Sequence, residues 1–320
     1  MRGVILAAGL GTRLRPLTQE IPKPLLPVAG RPILARTLDS LARAGCDAVA
    51  INLHHLGGMI RQAIGSAHRG MAVEYFEETE ILGTLGALPP MREFLAPADL
   101  VVLVNGDSLC RWPVETLVAR HRASDARATL LLARRTDPAE LGGGVGIDRS
   151  GRVVQMRQAP AAGIVARRLG FAGMHVFAPE LLGSVAPGPA DIVESLYLPL
   201  LARGERIGSL STGALWHDLG TRHRYLEGAL AWVAGRPGGR WISPSATVSP
   251  SATVLRSIVE PGCRIGEGAK IEGSVLLPGA VVGPGSVLRF AVLGPGVEVP
   301  AGAQVAEDLL LRQAAPAGLG

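Results

Sequence analysis

Residues 4–30 read VILAAGLGTRLRPLTQEIPKPLLPVAG. Three consecutive aliphatics, Val4, Ile5 and Leu6, run into Ala-Ala-Gly, the pattern of a buried strand that ends in a loop. The loop carries two arginines, one lysine and four prolines, so it is both cationic and stiff. Beyond it Ile33, Leu34, Leu38, Leu41 and Ala42 recur with helical spacing, and Gly45 stands where that helix would end. Strand, glycine-lined loop and helix in this order predict the start of an α/β domain.

The alternation continues outward. Ala48–Ile51 reads as a strand, 59–64 as a helix, 73–75 as a strand, 85–94 as a helix and 100–104 as a strongly apolar strand. A helix at 114–121 and a strand at 129–132 follow, then a hairpin (145–147 with 153–154 around DRSG), a strand at 171–177 and a helical apolar face at 225–233. Aliphatic runs of this kind suit a Rossmann-like, mainly parallel sheet covered on both faces. In such sheets ligands bind beyond the carboxyl ends of strands. Both the opening loop and the tripeptide Asn105-Gly106-Asp107 directly follow strands.

The pattern changes after residue 234. GRPGGR at 235–240 has the composition of a linker. From Ile242 onward aliphatics recur every six residues: Ile242, Val248, Val254; Val259, Ile265, Ile271; Val275, Val281, Val287; Leu293, Val299, Val305. Small residues fill the gaps, in stretches such as GEGAK and GPGS. This is the signature of a hexapeptide β-helix, three short sides making a coil of about 18 residues. The expected organisation is a catalytic domain over 1–234, a linker over 235–240, a β-helix over 241–312 and a tail over 313–320.

Composition excludes several function classes. No apolar run approaches the roughly 18 residues that would span a membrane, and Val4–Leu6 is too short for a signal peptide, so a cytoplasmic location is expected with no membrane partner. Cys46, Cys110 and Cys263 lie far apart without CxxC spacing, arguing against a disulfide framework or a zinc site. The formal charge is +5, but basic residues are scattered and aromatics are only 4% of the chain, so no nucleic-acid partner is expected. Of 32 basic residues only Lys23 and Lys270 are lysine. A lysine inside the opening loop therefore departs from the chain's own preference, and a compact point charge is what a tight phosphate site demands.

The loop fits neither common nucleotide fingerprint. GLGTRL at 9–14 lacks the third glycine of GxGxxG, and GxxxxGK[ST] is missing. Its small residues Ala8, Gly9 and Gly11 nevertheless leave backbone amides open to a phosphate, and the fork of Arg13 matches phosphate oxygens. Lys23, between Pro22 and Pro24, adds a second fixed positive point. His54 and His55 have no partner at metal spacing and read as surface residues; His217 reads as packing beside Trp216 or touching a metal shell.

LAAGLGTRLRPLT followed by PKPLLPV closely resembles the signature of the sugar-1-phosphate nucleotidylyltransferases, and the resemblance runs nearly end to end. It implies that the phosphate of a sugar 1-phosphate attacks the α-phosphorus of a nucleoside triphosphate, releasing pyrophosphate. That nucleophile is already anionic near neutral pH, its second pKa being roughly 6, so no general base is needed. The step requires alignment and neutralisation of repelling phosphates. By resemblance LVNGD makes Asp107 a Mg2+ ligand and WHDLGT makes Asp218 its partner, with Arg13 and Lys23 completing the catalytic set. Leu6, Ala8, Gly9, Gly11 and Thr12 would hold the triphosphate, with Glu78 and Gly83 at the base. LGFAGMHVF resembles the strand bordering the sugar pocket, placing Gly173 there, and GGGVG places Gly143 or Gly144. The family also implies a left-handed hand for the β-helix.

Glu78 stands five residues before Gly83, where uracil- or thymine-using members often carry glutamine. A carboxylate accepts only and matches the N1–H and N2–H2 donors of guanine. The stretch resembles that of mannose-1-phosphate guanylyltransferases, giving GTP and mannose 1-phosphate as the expected pair. The alternative is UTP or dTTP with glucose, N-acetylglucosamine or N-acetylmuramic acid 1-phosphate. One departure bears on the sugar: Gln158-Ala159-Pro160 replaces the family's Glu-Lys-Pro, leaving Arg157, Arg167 or Arg168 as candidate substitutes for the lysine, and keeping an inactive regulatory subunit as a reading of another class. The β-helix contains no histidine, the last being His223, so it reads as structural, with self-association as a possible use.

Overall fold

The computed structural model describes residues 1–134 and 144–311. Two compact units are formed. One comprises Met1–Leu10 with Leu34–Trp216; the other comprises Gly11–Ile33 with the chain from His217 onward.

The first unit is built on a ten-stranded mixed sheet. Strand β1 (Arg2–Leu6) lies between β2 (Ala48–Leu53) and β4 (Val101–Asn105), parallel to both, and β3 (Met71–Glu77) extends the parallel set beyond β2. Val4, Ile5, Val49–Ile51 and Val101–Val104 are fully buried, as the continuous aliphatic runs require. The long strand β5 (Arg167–Phe177) reverses direction against β4 and pairs on its other side with Ala128–Ala133. Its register slips between Phe171 and His175. Gly173, at φ +78°, sits inside that slip, and a Cβ there would lie 2.5 Å from the Asn105 amide nitrogen. The bulge thus needs glycine to let the end of β4 approach.

The α/β class and most expected elements are observed. The expected helix at 85–94 is instead three short pieces, Gly83–Gly86, Pro89–Met91 and Arg92–Leu95. Pro89 and Pro90 have no N–H to continue the ladder. A strand at Ile207–Thr212, parallel to Ala128–Ala133, was not expected from periodicity.

The second unit contains a left-handed parallel β-helix of three sheets, with five, four and four strands among the described residues. Each strand pairs with the one 17 residues on: Val259 faces Ile242 and Leu276, and Leu276 faces Leu293. The coil is therefore 17 residues rather than about 18, two six-residue sides and one of five. This regular shortening corrects the third aliphatic set. Leu276, Val282 and Leu288, not Val275, Val281 and Val287, continue the inward columns of Val259, Ile265 and Ile271. Leu288→Ala should accordingly cost about 2–4 kcal/mol, by lost burial plus a cavity, and Val287→Ala distinctly less. Denaturant titration of the two variants tests the register, and equal losses would contradict it.

The opening loop folds with this unit. Tyr225 Oη, on helix α1 (Arg222–Val233), donates to the Pro27 carbonyl at 2.7 Å, and Gly30 N–H donates to Glu260 Oε2 at 2.9 Å. Gly30, at φ +77°, lies against Trp241 so closely that a Cβ would be 2.7 Å from its ring. Residues 11–33 thus pack with the C-terminal part of the chain.

Candidate active site

In the first unit, β1 ends at Leu6 and the chain passes through buried Ala7 and Ala8 to exposed Gly9, where a Cβ would meet nothing within 4 Å. Ala7 N–H donates to Asn52 Oδ1 at 2.6 Å, and Asn52 Nδ2 donates to Glu78 Oε1 at 2.7 Å. Glu78 Oε2 accepts from Leu82 N–H at 3.0 Å, and the Glu78 N–H itself donates to Leu53 O at 2.7 Å. Glu78 is buried, and this chain of bonds links the end of β1 to the stretch before Gly83. Each oxygen therefore has a protein donor already, and a base would use the remaining lone pairs. His54 also belongs here: its Nδ1 lies 2.8 Å from the Glu78 carbonyl, so it is a half-buried partner rather than a free surface residue.

Gly83, at φ +75°, is pressed against the Ala190 carbonyl, 2.7 Å from where its Cβ would lie. The Ala190 carbonyl accepts from Leu85 N–H at 2.9 Å, and Ile192 N–H donates to Thr84 Oγ1 at 2.8 Å. The turn at the expected base edge is thus held by the segment at 190–192.

Asp107 follows β4 directly. Its neighbour Gly106 donates to the Leu6 carbonyl at 2.8 Å, and a Cβ on Gly106 would lie 2.9 Å from that oxygen, so glycine is needed where the two strand ends meet. On the sugar side, Trp216 Nε1 donates to the Ala172 carbonyl at 2.7 Å, bracing the bulge at Gly173. Beneath it His175 Nδ1 is 2.5 Å from Tyr197 Oη and meets Phe171 edge-on at 4.6 Å. Full burial pushes His175 down to about 3, so it is neutral packing and not an acid or base at neutral pH.

Gly144 is buried, and its carbonyl accepts from Arg157 N–H at 3.0 Å; Gly143 lies outside the described residues. Of the candidate replacements for the family lysine, Arg157 pairs with Asp191 at 2.9 Å and with Glu194, and Arg168 bonds Gln155, whereas Arg167 is exposed.

The second unit holds the rest. Gly11, at φ +61°, opens the helical turn Thr12–Leu14, and its carbonyl accepts from Thr18 Oγ1 at 2.8 Å. Arg13 projects from that turn and is exposed. Lys23 is only 5% exposed, in a turn (Lys23–Leu25) entered through Pro22. Asp218 Oδ1 accepts from Gly220 N–H at 2.6 Å and its Oδ2 accepts from Arg224 Nη1 at 2.7 Å. A Cβ on Gly220 would lie 2.6 Å from Asp218 Oδ1 and 2.7 Å from Arg13 Nη2, so Arg13 and Asp218 crowd around this glycine. His217 packs on α1, 2.9 Å from where a Cβ of Gly228 would be, and burial pushes its imidazole below the usual range.

Hard oxygen donors suit Mg2+, which is commonly held by one or two carboxylates with phosphate and water completing the shell. Asp107 and Asp218 are donors of that kind. Among the described residues no group of three or more His, Cys, Asp or Glu is gathered to hold a metal. All three cysteines are buried and free, and burial pushes the Cys46 thiol up to about 12. No helix among the described residues is long and apolar enough to cross a membrane.

Asn52, Arg224 and Glu260 were missed by sequence reasoning. Asn52 carried a signal, an amide inside the otherwise apolar AVAINL run; the other two carried none.

A family model described as Nucleotidyl transferase matches residues 2–233, and one described as GlmU-like, C-terminal hexapeptide matches 238–314. Among curated relatives, the chain is 27% identical to a mannose-1-phosphate guanyltransferase beta-B of Xenopus laevis, over 83% of this chain and 73% of that protein. It is 26% identical to a mannose-1-phosphate guanyltransferase of Schizosaccharomyces pombe, with the same coverage. Two solved structures share the fold at 22% identity: HddC from Yersinia pseudotuberculosis complexed with GMP-PN (TM-score 0.60, 72% of this chain and 99% of that one), and a putative glucose-1-phosphate thymidylyltransferase from Bacillus anthracis (0.63, 72% and 94%).

Proposed function

The chain belongs to the nucleotidyl transferase family, and within it we propose that GTP and mannose 1-phosphate are the substrates and GDP-mannose the product. The enzyme is a sugar-1-phosphate nucleotidyltransferase, of a family that acts on nucleoside triphosphates and sugar phosphates and typically uses a divalent metal. The guanine assignment rests on Glu78, an acceptor-only side chain held in place by Asn52 and Leu82, and on the guanyltransferase names of the relatives. Arg13, the amides of Gly9–Thr12 and Lys23 would hold the triphosphate. Asp107 and Asp218 would each ligate Mg2+, which when bound supplies charge neutralisation at the phosphates. Gly144 and Gly173 would border the sugar.

Pyrophosphate release, measured with Mg2+ across four nucleoside triphosphates and four sugar 1-phosphates (mannose, glucose, N-acetylglucosamine, N-acetylmuramic acid), tests the proposal. Turnover greatest with GTP and mannose 1-phosphate is expected. Preference for UTP or dTTP would keep the reaction and discard the base assignment, and no turnover with any pair would leave an inactive subunit. Glu78→Gln should lower kcat/KM for GTP by about ten- to a hundredfold, a charge-assisted acceptor being worth roughly 1.5–3 kcal/mol; an unchanged value would remove Glu78 from base recognition.

The buried free cysteines suit a reducing, cytoplasmic setting. Self-association through the β-helix is part of the same proposal, with Leu255 and Phe290 its large exposed apolar side chains; light scattering reads it.

A further inference from the structure

Arg224 stands where the rules of helix formation disfavour it. It lies in the first turn of α1, behind the N-cap Thr221, and that turn contains Arg222, His223 and Arg224 with no acidic residue. A cation at the positive end of a helix is unfavourable by about 0.3–1 kcal/mol. Arg13 brings a second guanidinium close to Gly220, whose N–H holds one oxygen of Asp218. The compensating charge is Asp218, whose Oδ2 takes the Arg224 Nη1–H at 2.7 Å while Oδ1 is held by the Gly220 N–H. The pair is three-quarters buried, with 26% and 22% of the two side chains exposed, so solvent screens it only in part. A divalent cation on Oδ2 would sit against that guanidinium, and two cations cannot share the position without strong repulsion.

We infer that Arg224 is the resident counter-cation of Asp218: it aims the carboxylate and balances its charge while no nucleotide is bound, and gives up Oδ2 to the metal that arrives with the triphosphate. The inference rests on the proposed metal role of Asp218. Arg224 is in this sense a positioning residue that makes metal binding depend on nucleotide. Without triphosphate the metal must displace a guanidinium already bonded to that oxygen. With it, phosphate oxygens offer the displaced arginine a new anionic partner.

The test is Mn2+ binding to the full-length protein, followed by electron paramagnetic resonance with and without the non-hydrolysable analogue GMP-PNP. Without nucleotide, Arg224→Gln should bind Mn2+ about fivefold more tightly than wild type, the fold-change that corresponds to losing an ion-pair competitor of about 1 kcal/mol. Arg224→Lys should fall between them, and with GMP-PNP the gap should close to about twofold or less. Asp218→Asn should weaken binding. If Asp218→Asn weakens binding but Arg224→Gln leaves it unchanged, or if the gap persists with GMP-PNP, the counter-cation role is overturned and the metal site stands. If Asp218→Asn binds Mn2+ like wild type, the metal role of Asp218 fails and this inference with it.

Discussion

Asp107→Asn is expected to reduce kcat by at least about a thousandfold while leaving the protein folded. The substitution keeps the shape of the side chain and removes only its negative charge, so it separates metal ligation from packing. The local backbone is fixed by other means, since Gly106 is bonded to the Leu6 carbonyl at the point where two parallel strands end. On the proposed metal role of Asp107, the substitution removes a hard anionic ligand for the ion that would offset the phosphate charges, and such stabilisation of the transition state is worth several kcal/mol. The measurement is steady-state pyrophosphate release, alongside thermal unfolding and Mn2+ affinity. Turnover within about tenfold of wild type, with an unchanged melting temperature, would show that Asp107 is not a metal ligand.

Lys23 should tolerate neither removal nor exchange for the chain's preferred cation. Lys23→Ala and Lys23→Arg are both expected to lose about a hundredfold or more in kcat/KM. The side chain is 5% exposed between Pro22 and Pro24, in a turn whose backbone has little freedom to move. A guanidinium is broader than an ammonium and directs its donors in a plane, so forcing one into this space displaces its neighbours, at about 1–3 kcal/mol for an overpacked site, and puts the charge elsewhere. Full activity in Lys23→Arg would mean that only net charge matters. It would also leave the near-absence of lysine from the rest of the chain without a bearing on the site.

The parts legible in the sequence were those set by local rules. Continuous aliphatic runs and helical spacing located the parallel core, and the six-residue rhythm located the β-helix, because in both the buried side chains follow from backbone geometry alone. The errors also have local causes. One residue removed per coil produced a 17-residue repeat, so adjacent valines at 275, 281 and 287 were chosen over Leu276, Val282 and Leu288, which continue the inward columns. The proline pair at 89–90 broke a helix that apolar spacing alone had made continuous. The candidate site was legible as strand ends, glycines and charges. Its supporting polar contacts were not, because Asn52 reaches Glu78 across 26 residues and Glu260 reaches Gly30 across 230, distances on which no spacing rule bears. Arg224 was hidden differently: six residues from Asp218, it looked like one more arginine in an arginine-rich chain.

The bond from Glu260 to Gly30 makes the two ends of the polypeptide thermodynamically reciprocal. If the loop holds triphosphate as proposed, a ligand that orders it should slow amide exchange in the second coil, and loosening that coil should weaken the ligand in turn.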